Sequence, residues 1–355
     1  MEKLGEPASA AYRAAGKLST AYVFPSSAQE FDVLRAALHE NPEDGTAHYL
    51  LGTLFFSRGL TEDALAEWNA ARKFAPGLPV LHASLGRVLL QVKNDPEQAL
   101  AAFREGLRND PTNAALYVGI DQTLSLLKRS ARERVDALQL YPDRENMPTR
   151  LIYELILNLA EAGEYDAATA LFHNRFFARE EGGTNVRQVW IEVQLQRALG
   201  LAHGGRCNEA LSAVEQLPSQ VPGLPFTQDG LEPILRLART NYLAGEVYGS
   251  CSEGTKAKSR FETAAAQVNP DQIVWAYRSA RKLAGFDQRQ WQPQLESALT
   301  RNFGQTSWGF YNRGMIDDAL GHSGDAEADF HRALLMPDGL LAYHLTRLAL
   351  AQQAP

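Results

Sequence analysis

The chain has 355 residues, of which 45% are hydrophobic and 22% are charged, and it carries a formal net charge of −7. This composition is too apolar for a disordered protein, and the length predicts two domains or an extended repeat array. The negative charge argues against nucleic acid as the main partner. No run of about 18 apolar residues predicts a membrane span, and residues 1–20 lack the apolar core of a signal peptide. We therefore expect a cytoplasmic protein with neither a nucleic-acid nor a membrane partner.

Residues 1–44 are predicted to form an N-terminal helical segment. Within this segment, Ser27 and Glu30 have the spacing of a capping box at the start of an amphipathic helix. In a capping box the two side chains satisfy backbone N–H groups that the first helical turn leaves free. A helix is therefore expected to begin just after Ser27.

A repeat of about 34 residues starts at Gly45. In its first unit, small residues are spaced so that two helices can cross closely, and large residues fill the gap beside the crossing. The small residues are Gly52 and Ala64, and the large ones are Phe55 and Trp68. Gly59 is predicted to end the first helix and Thr61 to cap the second.

Later units repeat the same alternation of small and large residues. In the second unit, Asp95 is placed to cap a helix whose first residue is Pro96, and in the third, Ser130 and Glu133 have capping-box spacing. The aligned residues of four later units are Gly163, Ala168 and Phe172; Gly205, Ala210 and Val214; Gly245, Ala257 and Phe261; and Gly314, Ala326 and Phe330. A unit around residues 273–303 is degenerate.

These assignments predict a domain organisation along the whole chain. After the N-terminal segment, repeats 1–4 occupy residues 45–178, and a connecting loop with a Glu-Gly-Gly sequence occupies residues 179–187. Repeats 5–8 occupy residues 188–336 and include a Pro-rich loop at residues 216–233. A C-terminal capping helix occupies residues 337–355.

The pattern of small and large residues resembles the tetratricopeptide repeat (TPR), a helix–turn–helix unit. The resemblance implies an all-α fold, a right-handed α-solenoid of about seven to eight TPR-like helix pairs with a C-terminal capping helix. It also implies a concave groove lined mainly by the first helix of each pair.

Residues 21–52 and 176–186 resemble a narrower group, the TPR region that follows a mutarotase-like β-domain of unknown function in large bacterial proteins. Phe177, Glu181 and the two glycines that follow match a loop of that group. Glu180 and Thr184 depart from it, because the group has an aromatic and an acidic residue there. The resemblance implies an association with a β-rich companion domain, which this chain does not contain.

The sequence contains no catalytic motif. There is no Walker loop, no Gly-x-Gly-x-x-Gly after a strand, no His-Glu-x-x-His and no Gly-x-Ser-x-Gly. We therefore predict that the protein is not an enzyme and has no catalytic residue, metal or cofactor. Cys207 and Cys251 lack metal-like spacing, and we expect both to be reduced thiols.

The residue at the fifth position of each aligned repeat is predicted to face the groove. These residues are Tyr49, Ala83, Val118, Tyr153, Leu195, Tyr242, Trp275 and Tyr311, so five of eight are aromatic. The rings can stack on a peptide or sugar, or they can pack onto neighbouring helices and fill the inner wall. The candidate groove ligands are Tyr49, Arg87, Tyr153, Tyr242, Trp275 and Tyr311.

The stretch FFAREEGG, residues 176–183, is the second candidate site. Phe176 and Phe177 are predicted to fill the seam between the fourth and fifth units, at the end of a second helix that is longer than standard. The glycines are predicted to end that helix. The candidate ligand residues are Arg179, Glu180, Glu181, Gly182 and Gly183. A structural turn and a ligand loop both remain open.

The sequence thus predicts a non-enzymatic TPR scaffold that binds a peptide segment or a partner domain in an aromatic-lined concave groove. The alternative is an accessory helical-repeat region of a carbohydrate-active or carbohydrate-binding protein, packed against a separate β-sandwich domain. TPR domains that grip chaperone tails use Lys and Asn where this chain has Tyr49 and Thr53. That class of partner is therefore not expected.

Overall fold

A computed structural model describes residues 8–20, 23–78, 80–177, 184–219, 221–226, 230–337 and 339–353. These residues form twenty α-helices and include no β-strand. No helix within these ranges has the length and hydropathy that a membrane span requires. The chain divides into two compact units, of which unit 1 comprises Met1–Leu127 and Leu140–Asn146, and unit 2 comprises Lys128–Gln139 and Met147–Pro355.

Unit 1 contains seven helices within its described residues. They are α1 (Ala8–Ala15), α2 (Ala28–Glu40), α3 (Gly45–Ser57), α4 (Thr61–Phe74), α5 (Leu81–Gln91), α6 (Pro96–Asn109) and α7 (Ala114–Leu126). After α2, the helices follow the repeat read from the sequence, with α3 packed on α4 and α5 packed on α6.

Unit 2 contains the remaining helices. They are α8 (Ala131–Gln139), α9 (Thr149–Glu161), α10 (Tyr165–Ala170), α11 (Val186–His203), α12 (Cys207–Glu215), α13 (Glu232–Leu235), α14 (Ala238–Ser250), α15 (Gly254–Ala265), α16 (Ile273–Ala280), α17 (Gln288–Leu299), α18 (Ser307–Leu320), α19 (Ser323–Leu335) and α20 (Leu340–Gln353). Consecutive helices pair as α9 with α10, α11 with α12, α14 with α15, α16 with α17 and α18 with α19. The predicted all-α organisation into consecutive helix pairs with a C-terminal helix is confirmed.

The small residues of the repeat hold the paired helices close together. A Cβ atom added at Gly52 would lie 2.6 Å from Trp68 Cδ1, and one at Gly86 would lie 2.4 Å from Phe103 Cε1. In unit 2, Gly314 faces Phe330 in the same way, with a separation of 2.8 Å. Because a real Cβ cannot approach an aromatic ring so closely, glycine is the residue that permits these crossings.

Several helix ends confirm the capping predictions. Ser27 and Glu30 form a complete capping box on α2. Asp95 caps α6, whose first residue is Pro96. The backbone N–H of Glu133 donates to Ser130 Oγ ahead of α8. These local signals depend on residues three or four apart, which explains why they can be read from the sequence.

Two local predictions are wrong. The residue before α4 is Leu60, and Thr61 is already the first helical residue, so Thr61 does not cap the helix. The second helix of the fourth pair, α10, has six residues and is not extended, because the chain leaves the helix at Leu171. The aromatic residues that follow therefore lie outside a helix.

Cys207 and Cys251 are joined by a disulfide bond, with their Cα atoms 5.3 Å apart. The prediction of two reduced thiols is therefore wrong. Cys207 begins α12 and Cys251 directly follows α14, and these two helices pack on each other. Disulfide bonds persist mainly in oxidising compartments, and a cytoplasmic location remains a prediction.

Candidate functional site

The first helices of the unit 2 pairs lie side by side. α9 contacts α11, α11 contacts α14, α14 contacts α16, and α16 contacts α18. Together these helices form a common surface, which we call the inner face of unit 2. One residue of each helix marks this surface, namely Glu161, Glu192, Arg239, Trp275 and Tyr311. The stacking of pairs therefore assembles one surface from residues far apart in the sequence.

The C-terminal helix α20 lies on this inner face. It packs on α18 and α19, which precede it in the chain, and also on α9 at the other end of the row. Residues from Leu340 to Thr346 are all buried. On α9, every residue from Leu151 to Ala160 is buried, which requires a neighbour on each side of the helix. The C-terminal helix thus covers the last pair, as expected, and also covers the row of first helices.

Glu161 receives three cationic side chains. His344 Nδ1 and Arg347 Nε each donate a hydrogen bond to Glu161 Oε1 at 2.8 Å. Arg134 Nη2 donates to Glu161 Oε2, and Arg134 Nη1 donates to Asn158 Oδ1 at 2.7 Å. Two elements, α8 and α20, therefore meet at one carboxylate of α9.

Glu192 forms a second, adjoining ion pair on α11. Arg239 Nε donates to Glu192 Oε2 at 3.2 Å, and Gln196 Nε2 donates to Glu192 Oε1 at 2.9 Å. His344 Nε2 lies 3.6 Å from Glu192 Oε1, so the imidazole lies between two carboxylates. Together, the residues around Glu161 and Glu192 form what we call the ionic cluster. Its members are Arg134, Asn158, Glu161, Glu192, Arg239, His344 and Arg347.

The cluster shifts the pKa of its titratable groups. Burial opposes ionisation of Glu161, but Arg347, Arg134 and His344 together hold its pKa far below the usual value. Burial also opposes ionisation of Glu192, but Arg239 and His344 outweigh this effect. The pKa of Glu192 therefore also lies below its usual value. Burial would lower the pKa of His344, yet its hydrogen bond to Glu161 and the nearby carboxylate of Glu192 raise it. All three shifts favour charged side chains at neutral pH.

An open cavity of about 550 Å³ lies beside α20 on the inner face. Leu341 and Leu345 of α20 form one side of it, and Trp275 and Tyr311 form another. The mouth carries hydrogen-bonding side chains from several elements, namely Gln188, Asp271, Gln272, Arg301, Asn302 and Asn312. Trp308 also lines the cavity and is 38% exposed. The cavity therefore combines aromatic surface with amide and charged groups.

Trp275 is the aromatic centre of the inner face. The guanidinium carbon of Arg239 lies 4.7 Å from the centre of the indole ring, and that of Arg278 lies 5.0 Å from it. Tyr242 packs against the same ring, with centroids 5.4 Å apart. Such cation–π contacts fix the indole, which also lines the 550 Å³ cavity. Trp275 is thus a rigid wall of the cavity.

The aromatic residues predicted for the groove differ in accessibility. Tyr49 and Tyr153 are 5% and 4% exposed, and Trp275 and Tyr311 are also buried. Tyr153 packs on Phe177, and its hydroxyl donates to the carbonyl of Thr184 at 3.4 Å. Tyr49 belongs to the hydrophobic core around Trp68. These two rings fill walls between helices, whereas Trp275 and Tyr311 reach the 550 Å³ cavity.

Two other predicted groove residues occupy more accessible positions. Tyr242 is half-buried and lines a second cavity, of about 130 Å³, on the inner face. Arg87 is exposed on α5 of unit 1. The structure therefore brings Tyr242, Trp275 and Tyr311 together in unit 2.

The FFAREEGG stretch is described only in part. Arg179, Glu180, Glu181, Gly182 and Gly183 lie outside the described residues. Phe177 is buried against Phe172 and Tyr153, with ring centroids 5.8 and 5.0 Å away, and its place in the seam between the fourth and fifth repeats stays a prediction. Phe176 is 83% exposed, and the prediction that it fills the same seam is wrong. Both phenylalanines follow the end of α10 and are therefore not held on one face of a helix.

The Pro-rich segment from residue 216 to residue 233 is partly built into unit 2. Phe226 is buried, its ring packs edge-on against Trp190, and the guanidinium carbon of Arg187 lies 5.4 Å from its centre. The segment leads into α13, where Ile234 lines the 550 Å³ cavity. The described part of this loop therefore supports the wall of the cavity.

Three residues at the turn between α18 and α19 could ligate a metal ion. Ligand atoms of Asp317, His322 and Asp325 lie within 4.8 Å of one another. His322 Nδ1 lies 3.0 Å from Asp317 Oδ1, so the histidine already has a partner. We assign no metal to this turn.

The ionic cluster was not predicted from the sequence. Glu161 was not singled out, and His344 and Arg347 were treated only as part of a terminal helix. The available signal was the run of apolar residues on α9, because a helix with a free face seldom has ten buried positions in succession. That run indicates a cover on the inner face, although it does not identify α20 as the cover.

No model of a protein family matches the chain, and no curated protein matches it. Among solved structures, the chain is similar to YrrB, described as a TPR protein with an unusual peptide-binding site, with a TM-score of 0.36, 22% identity and coverage of 70% of this chain and 98% of YrrB. For Naa15/Naa10 bound to HypK-THB, the TM-score is 0.36 at 13% identity, with 86% of this chain and 55% of that chain covered.

Yeast Tom70 gives a TM-score of 0.30 at 14% identity, with 82% of this chain and 62% of that chain covered. The match thus spans less than two thirds of the last two chains. None of these comparisons supports a β-rich companion domain. The function of the chain is therefore argued from its own residues.

Proposed function

We propose that the chain is a non-enzymatic scaffold that binds a segment of a partner protein in the 550 Å³ cavity of unit 2. The observation that carries the proposal is the pairing of amide side chains that line the cavity with a fixed aromatic wall. Amide groups both donate and accept hydrogen bonds, as the backbone of a peptide does. Gln188, Gln272, Asn302 and Asn312 line the cavity and offer such groups.

The aromatic wall supplies the apolar part of the binding energy. Trp275 is held by two guanidinium groups, and Trp308 packs edge-on against Tyr311 with centroids 5.9 Å apart. Because these rings are fixed before binding, little side-chain entropy is lost when a ligand contacts them. Tryptophan and tyrosine are also the residues most enriched at energetic centres of interfaces.

The charged wall residues favour binding over catalysis. Glu192 is committed to Arg239, so its carboxylate is held as an ion rather than poised to exchange a proton near neutral pH. Asp271 and Arg301 lie at the exposed mouth and can select the charge of a ligand. The volume falls in the range of about 300–1,000 Å³ typical of ligand sites, which suits a short segment better than a folded domain.

The test is a selection of displayed peptides on the purified full chain, followed by affinity measurements on wall variants. Asn312→Ala and Trp308→Ala are expected to weaken the selected peptides at least about tenfold each, equivalent to about 1.4 kcal/mol. The matched control is Trp291→Ala, because Trp291 is a half-exposed tryptophan of α17 that packs on Tyr277 away from the cavity. Equal affinity of both wall variants and the control would contradict the proposal.

A further inference from the structure

Helix α20 separates two cavities that share a common wall. The larger, of about 550 Å³, is bordered by Leu341 and Leu345, and the smaller, of about 130 Å³, by Leu348 and Ala349. Both cavities are also lined by Arg239, Trp275 and Tyr311 of the inner face. Residues of α20 thus line both cavities, and we call the two cavities together with their shared wall the channel of unit 2.

The inner face under α20 is unusually polar for a permanent core. Glu161, Asn158 and Glu192 lie next to the helix, and Arg134 and Arg239 form hydrogen bonds with them. Replacing a buried ionic group by apolar residues is often neutral or stabilising, so a helix that never leaves has little need of such groups. Water can instead solvate the paired charges of the inner face when α20 dissociates from it. The polarity of the inner face is therefore compatible with reversible docking of α20.

The inner face selects its cover by charge. Glu161 and Glu192 present two carboxylates, and α20 presents His344 and Arg347 to them, one turn apart on the same side of the helix. The apolar residues of α20, such as Leu341 and Leu345, flank these cations. The recognised pattern is an amphipathic helix with two cationic groups three residues apart.

The connection to α19 keeps the cover close. α19 ends at Leu335 and α20 begins at Leu340, so four residues, including Pro337 and Gly339, join them. Arg150 Nη2 donates to the carbonyl of Pro337 at 3.2 Å and fixes the start of this connection. A short tether gives α20 a high effective concentration at the inner face. A partner of low affinity therefore cannot displace α20, whereas a partner of high affinity can.

We propose that α20 is a tethered, displaceable ligand of the unit 2 channel, and that the channel accepts a partner's amphipathic helix carrying two cationic side chains three residues apart. The inference that a partner binds at this place rests on the proposed function. The inference that the partner carries two cationic side chains rests on the carboxylates of Glu161 and Glu192. Displacement of α20 joins the two cavities, and the partner's cations replace His344 and Arg347.

The experiment uses the full chain and a labelled peptide with the sequence of residues 339–353 as the probe. The double variant His344→Gln/Arg347→Gln weakens only the resident helix and leaves the channel intact. The variant loses hydrogen bonds between its own α20 and Glu161, so its α20 competes less well with the added peptide. This variant should therefore bind the peptide at least about tenfold more tightly than the wild-type chain does. Its binding is measured by fluorescence anisotropy.

Two controls identify the contacts responsible. A peptide with glutamine at the positions of His344 and Arg347 should lose most of the gain, and so should a chain that also carries Glu161→Gln. The matched surface control is Arg289→Gln, because Arg289 is an exposed arginine that pairs only with Asp287 among the contacts described. This variant should bind the peptide as weakly as the wild-type chain does.

Several outcomes would overturn the inference. A folded double variant that binds the peptide no better than wild type shows that the channel does not accept a helix in exchange. Equal binding of the two peptides shows that charge does not select the occupant. Stable exchange of α20 between two copies, seen as a dimer by light scattering, assigns the channel to a second copy instead of a partner.

A second measurement covers the case in which the double variant fails to fold. In hydrogen exchange on the unmodified chain, amides of α20 should exchange before those of α9, because the cover opens while the row beneath it stays folded. Simultaneous exchange of both helices contradicts a displaceable cover. If displayed peptides bind the cavity and the α20 peptide does not bind, only this inference fails. If the α20 peptide binds and no displayed peptide binds the cavity, the proposed function fails and the exchange of helices stands.

Discussion

Helices α5 in unit 1 and α9 in unit 2 occupy the same position in their repeats but have different surroundings. The ninth position of the second repeat is the exposed Arg87 of α5, whereas the ninth position of the fourth repeat is Leu157 of α9, which is fully buried. The small-residue contacts that define the repeat do not explain this difference. The contact of α9 with α20 does, because a first helix gains a second buried side when another helix lies on it. The same repeat can therefore form an open wall or a filled one.

The largest effect is expected at the centre of the filled wall. Glu161→Ala removes the carboxylate that three cations share, and leaving buried charges unpaired typically costs about 3–5 kcal/mol. Chemical denaturation of unit 2 should report this loss. The matched control is Glu164→Ala, because Glu164 lies near Glu161 in the chain but pairs with Arg132 at the surface, where a loss of about 0–1 kcal/mol is typical. Similar losses in both variants would contradict a buried cluster.

The next effect is expected at the disulfide bond. Reduction of Cys207–Cys251 frees a loop of the unfolded chain, and such bonds typically contribute about 2–4 kcal/mol. The free energy of unfolding should fall when a reductant is added. In the Cys207→Ser/Cys251→Ser variant, the reductant should have no effect. An unchanged transition of the wild-type chain under reducing conditions would show that the bond does not stabilise unit 2.

A smaller effect is expected at the helix crossings that unit 1 and unit 2 share. Gly52→Ala places a Cβ atom 2.6 Å from Trp68 Cδ1, and overpacking of this kind typically costs about 1–3 kcal/mol. Gly314→Ala should cost a similar amount because its Cβ would meet Phe330. Gly77→Ala is the control, since nothing lies within 4 Å of its Cβ position. Thermal unfolding of the three variants tests whether the crossings are equivalent in the two units.

The smallest effect is a dependence of α20 docking on pH. The raised pKa of His344 means that its stabilising contribution is complete below about pH 6.5 and is lost as the pH rises through the folded-state pKa. Glu161 and Glu192 have lowered pKa values, so their contributions are present above about pH 4.5 and decline as the pH falls. Protection of α20 amides should therefore weaken on both sides of this window. In His344→Gln, the alkaline decline should disappear, and its persistence would assign the decline to another group.

The local parts of the fold could be predicted from the sequence. The crossing of Gly52 with Trp68 and the cap formed by Asp95 depend on neighbouring residues of one helix pair, and both were predicted. The end of α10 was not predicted, because the residues after Ala170 are compatible with a helix and the surrounding packing decides the boundary.

The candidate site was predictable only in part. Trp275 and Tyr311 follow from the repeat register, and both line the cavity. The contact of His344 with Glu161 joins residues 183 positions apart, and the pairing of Cys207 with Cys251 spans 44. Such contacts depend on how far the row of helices curves, which no short sequence pattern records. The amphipathic character of α20 predicts a buried face but does not identify the surface that buries it.

The central claim is that α20 lies on the row of first helices in unit 2. A double-mutant cycle between Glu161→Gln and Arg347→Met measures this contact directly, because the side chains approach within 2.8 Å but come from opposite ends of the row. We expect a coupling free energy of about 1–3 kcal/mol in the unfolding of unit 2. Additive losses from the two substitutions, with no coupling beyond experimental error, would contradict the contact and the filled inner face.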